Sequence, residues 1–219
     1  MTLQLLAHPF SSYCWKVLIP LWENGTAFEY RKLGPEDPHN GEELARRWPI
    51  GRFPVLIDGD TQVVEASAII EYLDVVHPGP TRLIPADART AVEVRMMDRI
   101  FDNYVSTPLQ TIVFDAIRPP EHRDPYGVTQ AREILGKAYA WLDAHMTGRT
   151  WAATDAFTLA DCAAAPSLFY ADWVEPLGDR HPALAAYRAR LLARPCIARA
   201  VDEARPYREY FPLGGPDRD

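Results

Sequence analysis

Leu3-Gln4-Leu5-Leu6-Ala7, a three-residue turn and then Ser11-Ser12-Tyr13-Cys14-Trp15-Lys16-Val17-Leu18-Ile19 decide how this chain folds. The first run is apolar and of strand length. In the second, Trp15, Leu18, Ile19 and Trp22 recur at helical spacing until Asn24-Gly25 ends the helix. A helix that opens beside the end of a strand aims unpaired backbone N–H groups, and a partial positive charge, at whatever lies in front of it. A thiolate is well held there. Ser11 to Cys14 also has the spacing of a Cys-x-x-Cys redox site with its first sulfur replaced by a hydroxyl. An intramolecular dithiol cycle through it is therefore excluded.

Working outward, Ala27 to Leu33 reads as a second strand, parallel to the first through a right-handed crossover. Gly41 to Trp48 is a short polar helical stretch. Pro54 to Ile57, the Asp58-Gly59-Asp60 turn and Thr61 to Val64 form a hairpin. Glu65 to Val76 closes the unit with an apolar stripe of Ile69, Ile70, Leu73 and Val76. The order is βαβ–α–ββα over residues 1–78. A Pro- and Gly-rich linker, 79–87, follows His77-Pro78. Residues 88–219 contain no strand run and read as all-helical. Expected helices are Ala88 to Ala116 with a kink at Pro108, Tyr126 to Met146, Thr158 to Tyr170, Ala183 to Ala193 and Pro195 to Ala204.

Composition narrows the function. At 219 residues and 47% hydrophobic the chain can bury a sizeable core. A net charge of −7 with scattered arginines argues against nucleic acid as a partner. No apolar run reaches membrane-spanning length, and no leader pattern precedes the first strand, so a cytoplasmic location is expected. Three dispersed cysteines (Cys14, Cys162, Cys196) suit neither a disulfide framework nor a metal site.

Three places in the first unit suit a ligand. Ser11 and Ser12 stand at the helix opening; the plain alternative is an ordinary N-cap, with Cys14 either a packed apolar residue or a reactive thiol. Phe53-Pro54 heads a central strand, where proline removes a ladder donor. It is either a trans strand-initiator or a cis bond offering the backbone of Phe53 to a ligand. Glu65-Ala66-Ser67 opens another helix: the amides of Ala66 and Ser67 suit a carboxylate, and Glu65 suits an ammonium group. Together they fit an extended, zwitterionic peptide.

With these residues in place the chain resembles the glutathione S-transferase family over nearly its whole length. Ser11-Ser12-Tyr13-Cys14-Trp15-Lys16-Val17 is similar to the catalytic helix start of serine-type members, closest in pattern to the zeta class. Phe53-Pro54 falls at the family's cis-proline. Asp155-Ala156-Phe157-Thr158-Leu159-Ala160-Asp161 resembles its buried capping box, with Thr158 as N-cap and Asp161 at N3. The resemblance implies an α+β thioredoxin-like N-terminal domain followed by an all-α C-terminal domain, glutathione as co-substrate, no metal, and a homodimer. It implies Ser11, then Ser12, as donor to the glutathione sulfur. Phe53 and Pro54 would hold the cysteinyl backbone, and Glu65, Ala66 and Ser67 the γ-glutamyl end. A pocket for a small electrophile would be lined by Asn103, Tyr104, Pro108 and Trp173, with Tyr170 nearby. Tyr207, Tyr210 and Phe211 would cover either this pocket or the core.

Two departures from the family pattern stand out. Ala66 occupies the position where relatives carry a serine hydroxyl for the γ-glutamyl carboxylate, a loss of about 1.5 kcal/mol or roughly tenfold in affinity. Trp48 stands where relatives often have Asn, at the glycine end of the tripeptide. The implied function is glutathione conjugation to an electrophile. Glutathione-dependent isomerisation and a non-catalytic binding scaffold are the alternatives.

Overall fold

The computed structural model describes residues 2–219. Strand β1 (Gln4–Ala7) lies at the centre of a four-stranded sheet of order β2-β1-β3-β4. β2 (Glu29–Lys32) runs parallel to it, with Leu5 opposite Tyr30. β3 (Val55–Asp58) and β4 (Thr61–Val64) are antiparallel, with Leu6 opposite Val55 and Val55 opposite Val64. Side chains alternate across a sheet, and here both faces are covered. Leu5, Ala7 and Leu56 point toward α1 (Ser12–Glu23) and α3 (Ala66–Val76). Leu6, Val55 and Ile57 pack with Leu33 and with Leu44 of α2 (Pro38–Arg47) on the other face.

Residues 77–87 hold no helix or strand. Beyond them lie α4 (Ala88–Ile100), α5 (Thr107–Ala116), α6 (Pro125–Met146), α7 (Leu159–Val174), α8 (Pro182–Leu192) and α9 (Pro195–Ala204). The helical half and the sheet half share one core. Trp15 of α1 is fully buried, with its ring centroid 4.9 Å from Phe169 and 5.4 Å from Tyr170 of α7.

Several elements differ from the sequence expectations. α2 starts three residues earlier than Gly41, because Asp37-Pro38 supplies a ready helix start and Asn40 anchors the first turn to the Lys32 carbonyl at 2.8 Å. α7 continues past Tyr170 to Val174 with Pro166 inside it. The long helix of Ala88 to Ala116 changes character just ahead of Pro108. It widens into a π-helical segment, Phe101–Ser106, and continues without a break into α5, with Pro108 in the first turn after the widening.

The capping box of α7 forms as the spacing demands. Asp161, fully buried, accepts from the Thr158 and Ala152 amides at 2.9 Å each, from the Thr158 hydroxyl at 3.2 Å and from Tyr187 at 2.6 Å. Burial pushes its carboxyl up, and these donors pull it back.

Candidate active site

A cleft of about 590 Å³ opens between the start of α1, the Phe53-Pro54 turn, the start of α3 and the face of the helical half. Ser11 is the N-cap of α1: its backbone is extended (φ −86°, ψ 125°) and its Oγ accepts from the Cys14 amide at 3.4 Å. Ser11 lines the cleft, and a hydroxyl whose oxygen accepts one bond still carries a proton that it can donate. Ser12, the next residue, also lines the cleft.

The residues before Ser11 brace it. His8 Nδ1 accepts from the Phe10 amide at 3.1 Å, the His8 carbonyl accepts from the Ser11 amide at 3.1 Å, and Tyr170 donates to the Phe10 carbonyl at 2.9 Å. Burial holds the His8 imidazole below its usual range, so the ring stays a neutral acceptor there. Cys14 is fully buried, accepts from the His8 amide through Sγ at 3.3 Å, and has its thiol pushed up to about 12 by burial. A thiol in that state is no nucleophile; Cys14 is a packing residue. Tyr13 borders the cleft, and burial with the nearby Asp102 carboxylate raises its phenol to about 12, so it stays protonated.

Across the cleft the Phe53–Pro54 peptide is cis. Phe53, Pro54, Trp48 and Arg52 form that wall. Glu65, the residue before α3, has φ 69° and ψ 117°, making it the one non-glycine residue in the left-handed half of φ among those described. Such a conformation costs on the order of 1–3 kcal/mol and persists where a site needs it. It leaves the Glu65 carboxylate exposed at the cleft edge beside buried Ala66.

Ser67 does not make good the hydroxyl missing at Ala66. Its Oγ accepts from Lys16 Nζ at 3.0 Å and donates to Asp98 at 2.9 Å. Lys16 is buried to 1% exposure between Asp98 at 2.6 Å and Asp102 at 2.8 Å. Burial raises the Asp102 carboxyl, with Lys16 opposing. Arg99 completes the cluster from its solvent side, pairing with Asp98 and Asp102. This group ties α1, α3 and α4 together beside Glu65 and Ala66 at the cleft edge.

Among the residues expected for a second pocket, Asn103 and Tyr170 line the cleft. Tyr104 points to solvent at 54% exposure, Pro108 is buried in the helix start, and Trp173 packs between Phe169 and Phe211 at 4.8 and 5.1 Å. The apolar wall comes instead from Leu109, Val113, Phe114 and Ile117 of α5 and its end, with Phe10 opposite and Phe211 and Pro212 above. The α5 residues recur at i, i+4, i+5 and i+8, an amphipathic signal that the sequence carried. Tyr13, Arg99, Asp102 and Gln110 also border the cleft without having been anticipated there.

A thioredoxin-like half with a hydroxyl at its first helix start, set against a helical half that supplies an apolar wall, defines a glutathione-binding enzyme fold. Residues 5–81 match the family described as glutathione S-transferase, N-terminal domain, and residues 108–195 match glutathione S-transferase, C-terminal domain. The stringent starvation protein A homolog of Coxiella burnetii is 30% identical over 166 residues, 75% of this chain and 74% of that protein. A probable maleylacetoacetate isomerase of Vibrio cholerae is 28% identical over 218 residues, covering 94% and 98%. A glutathione S-transferase of Methylobacterium radiotolerans, solved in complex with glutathione sulfonate, superposes with a TM-score of 0.79 at 29% identity, covering 92% of this chain and 95% of that one. The chain belongs to the glutathione S-transferase family. Among the described residues no cluster could hold a metal ion and no helix is long and apolar enough to cross a membrane.

Proposed function

We propose that the protein binds glutathione in this cleft, holds its sulfur as a thiolate with the Ser11 hydroxyl and the α1 N-terminus, and delivers it to a small electrophile. The observation that carries the proposal is the position of Ser11, which caps α1 through its hydroxyl oxygen and lines the cleft at the helix opening. A thiol of ordinary pKa, about 8.5, is only a few per cent ionised near neutrality. Lowering it by about two units requires roughly 2.7 kcal/mol of preferential stabilisation of the anion. One hydroxyl bond to a charged acceptor and a helix terminus supply that order of energy. The thiol proton passes to solvent, the sulfur lone pair forms the bond to the electrophilic carbon, and the displaced pair leaves with the leaving group. No protein base is required.

In this reading Phe53 pairs with the cysteinyl backbone, Glu65 meets the γ-glutamyl ammonium, and the amides of Ala66 and Ser67 meet its carboxylate. The electrophile lies on the wall of Leu109, Val113 and Phe114. The likeness to a maleylacetoacetate isomerase over nearly the full chain favours a second reading, in which the same thiolate adds reversibly to a cis-enone. Assays with maleylacetoacetate and with an aryl halide separate the two.

The reading includes a cytoplasmic homodimer. α3 and α4 are joined by Ser67 with Asp98 and by Glu71 with Arg95, and the same two helices carry Val75 and, one turn apart, Val92 and Met96. These three are 76%, 63% and 51% exposed, an apolar surface that a second copy would cover. Measuring glutathione affinity by calorimetry tests the whole proposal: absence of binding at several millimolar would remove it and leave a non-catalytic scaffold.

A further inference from the structure

Ala66 leaves the γ-glutamyl carboxylate without the hydroxyl that the family pattern provides, and Ser67 is committed to Lys16 and Asp98. The cations within reach differ sharply in availability. Lys16 is closed off between two carboxylates at 1% exposure. Arg95 is held in a two-point pair with Glu71 at 2.8 and 2.7 Å. Arg52 stands on the opposite wall beside Trp48 and Phe53. Arg99 alone borders both the main cleft and the adjoining recess of about 400 Å³, and in both it shares the wall with Glu65 and Ala66.

The guanidinium of Arg99 is built to take one more partner. Its side chain is 51% exposed, while Asp98 and Asp102 behind it are 2% and 10% exposed. Every hydrogen bond it makes leaves from Nε or Nη2, to Asp98, Asp102 and Ser67, so Nη1 has no partner among the described residues. Lys16 and Arg99 together balance the two aspartates, and what Arg99 has to spare is the outward Nη1 donor of its half-exposed head. Bonds to three partners also hold the planar head in place, which lowers the entropy lost when a ligand carboxylate docks.

Resting on the glutathione reading above, we propose that Arg99 is the specificity residue for the α-carboxylate of the γ-glutamyl group, taking over in this chain the role of the hydroxyl absent at Ala66. The α3 amides and Arg99 hold the carboxylate, and exposed Glu65 holds the ammonium beside it. The site therefore selects a γ-linked amino-acid head, with both its charges, over simpler acyl-cysteinylglycine peptides.

The test uses two ligands on the intact protein: glutathione, and 4-aminobutanoyl-cysteinyl-glycine, which keeps the ammonium and the glycine carboxylate but lacks the α-carboxylate. In Arg99→Met the Kd for glutathione should rise tenfold or more, the loss of one hydrogen bond between charged groups. The Kd for the analogue should stay within twofold. Arg99→Lys keeps the charge that steadies Asp98 and Asp102 and serves if the methionine variant does not fold; its loss should be smaller and again confined to glutathione. Adding Ala66→Ser to either variant should recover much of the glutathione affinity. Equal losses for both ligands would reduce Arg99 to a structural brace, and unchanged glutathione affinity would remove it from the site; either overturns the proposal. If the wild type itself binds no glutathione, the failure belongs to the glutathione reading and takes the inference with it.

Discussion

Replacing Asp161 by Ala should be among the most damaging single changes in the chain, and its cost can be worked from the contacts. The carboxylate accepts four hydrogen bonds: the Ala152 and Thr158 amides, the Thr158 hydroxyl and the Tyr187 hydroxyl. Thr158 and Tyr187 are themselves buried, at 1% and 0% exposure, so no bulk water replaces the acceptor. At about 1 kcal/mol net per bond the loss is about 4 kcal/mol, and more where a donor stays unpaired. Relaxation around the vacated space brings the expectation to about 4–5 kcal/mol, against a total stability on the order of 5–15 kcal/mol for a folded domain. Asp161→Asn keeps the shape and one acceptor oxygen but turns an amine toward donors, and should cost about 2 kcal/mol. Urea unfolding followed by tryptophan fluorescence measures both. Because α7 carries Tyr170, which braces the Phe10 carbonyl beside Ser11, the alanine variant should also lose glutathione binding at temperatures where wild type retains it. A loss below about 1 kcal/mol for Asp161→Ala would refute the claim that this buried box holds α7 in place.

Three further outcomes follow from the same geometry. Cys14, fully buried with its thiol pushed up to about 12, should be silent to a thiol reagent in the native protein, and Cys14→Ala should keep thiolate activation; rapid labelling of Cys14 would contradict this. His8 is held neutral by burial, below its ordinary value of 6.5. The folded state therefore resists its protonation, and its stabilising contribution is complete above about pH 6.5 and lost as pH falls below it. A thermal-melt series from pH 8 to 5 should show a steeper acid decline for wild type than for His8→Asn, and parallel curves would exclude the effect. Val92→Asp on the exposed α3–α4 face should shift sedimentation from dimer toward monomer; a wild-type protein that sediments as a monomer would end that part of the reading.

Much of the fold was legible because local signals agreed with one another. The apolar run of β1, the helical period of Trp15, Leu18 and Ile19 and the Asp-Gly hairpin turn all pointed to one βαβ–α–ββα order, which the sheet register bears out. Thr158 and Asp161 were readable as a reciprocal cap because that motif is closed within four residues. The π-helical segment before Pro108 was not, since it depends on how Phe101 and Val105, both fully buried, seat against α7. Cleft and core are also hard to tell apart on a helix when both are apolar. Trp173 and Pro108 read as pocket candidates yet are packed inside, while Val113 and Phe114 read as ordinary helix positions yet face the cleft. The cluster of Lys16, Ser67, Asp98 and Arg99 joins residues up to 83 positions apart in sequence, so only the folded chain brings it together.

The central claim is that Ser11 holds glutathione as a thiolate, and the ultraviolet thiolate absorbance of the bound tripeptide, titrated from pH 5 to 10, tests it most directly. Ser11→Ala also removes the α1 cap and should cost about 1 kcal/mol of stability, so its unfolding is measured alongside at saturating glutathione. The account predicts a bound thiol pKa near 6.5 in wild type, the lowering of about two units argued above, and a rise of about one unit or more in Ser11→Ala. A titration unchanged by that substitution, with glutathione still bound, would contradict it.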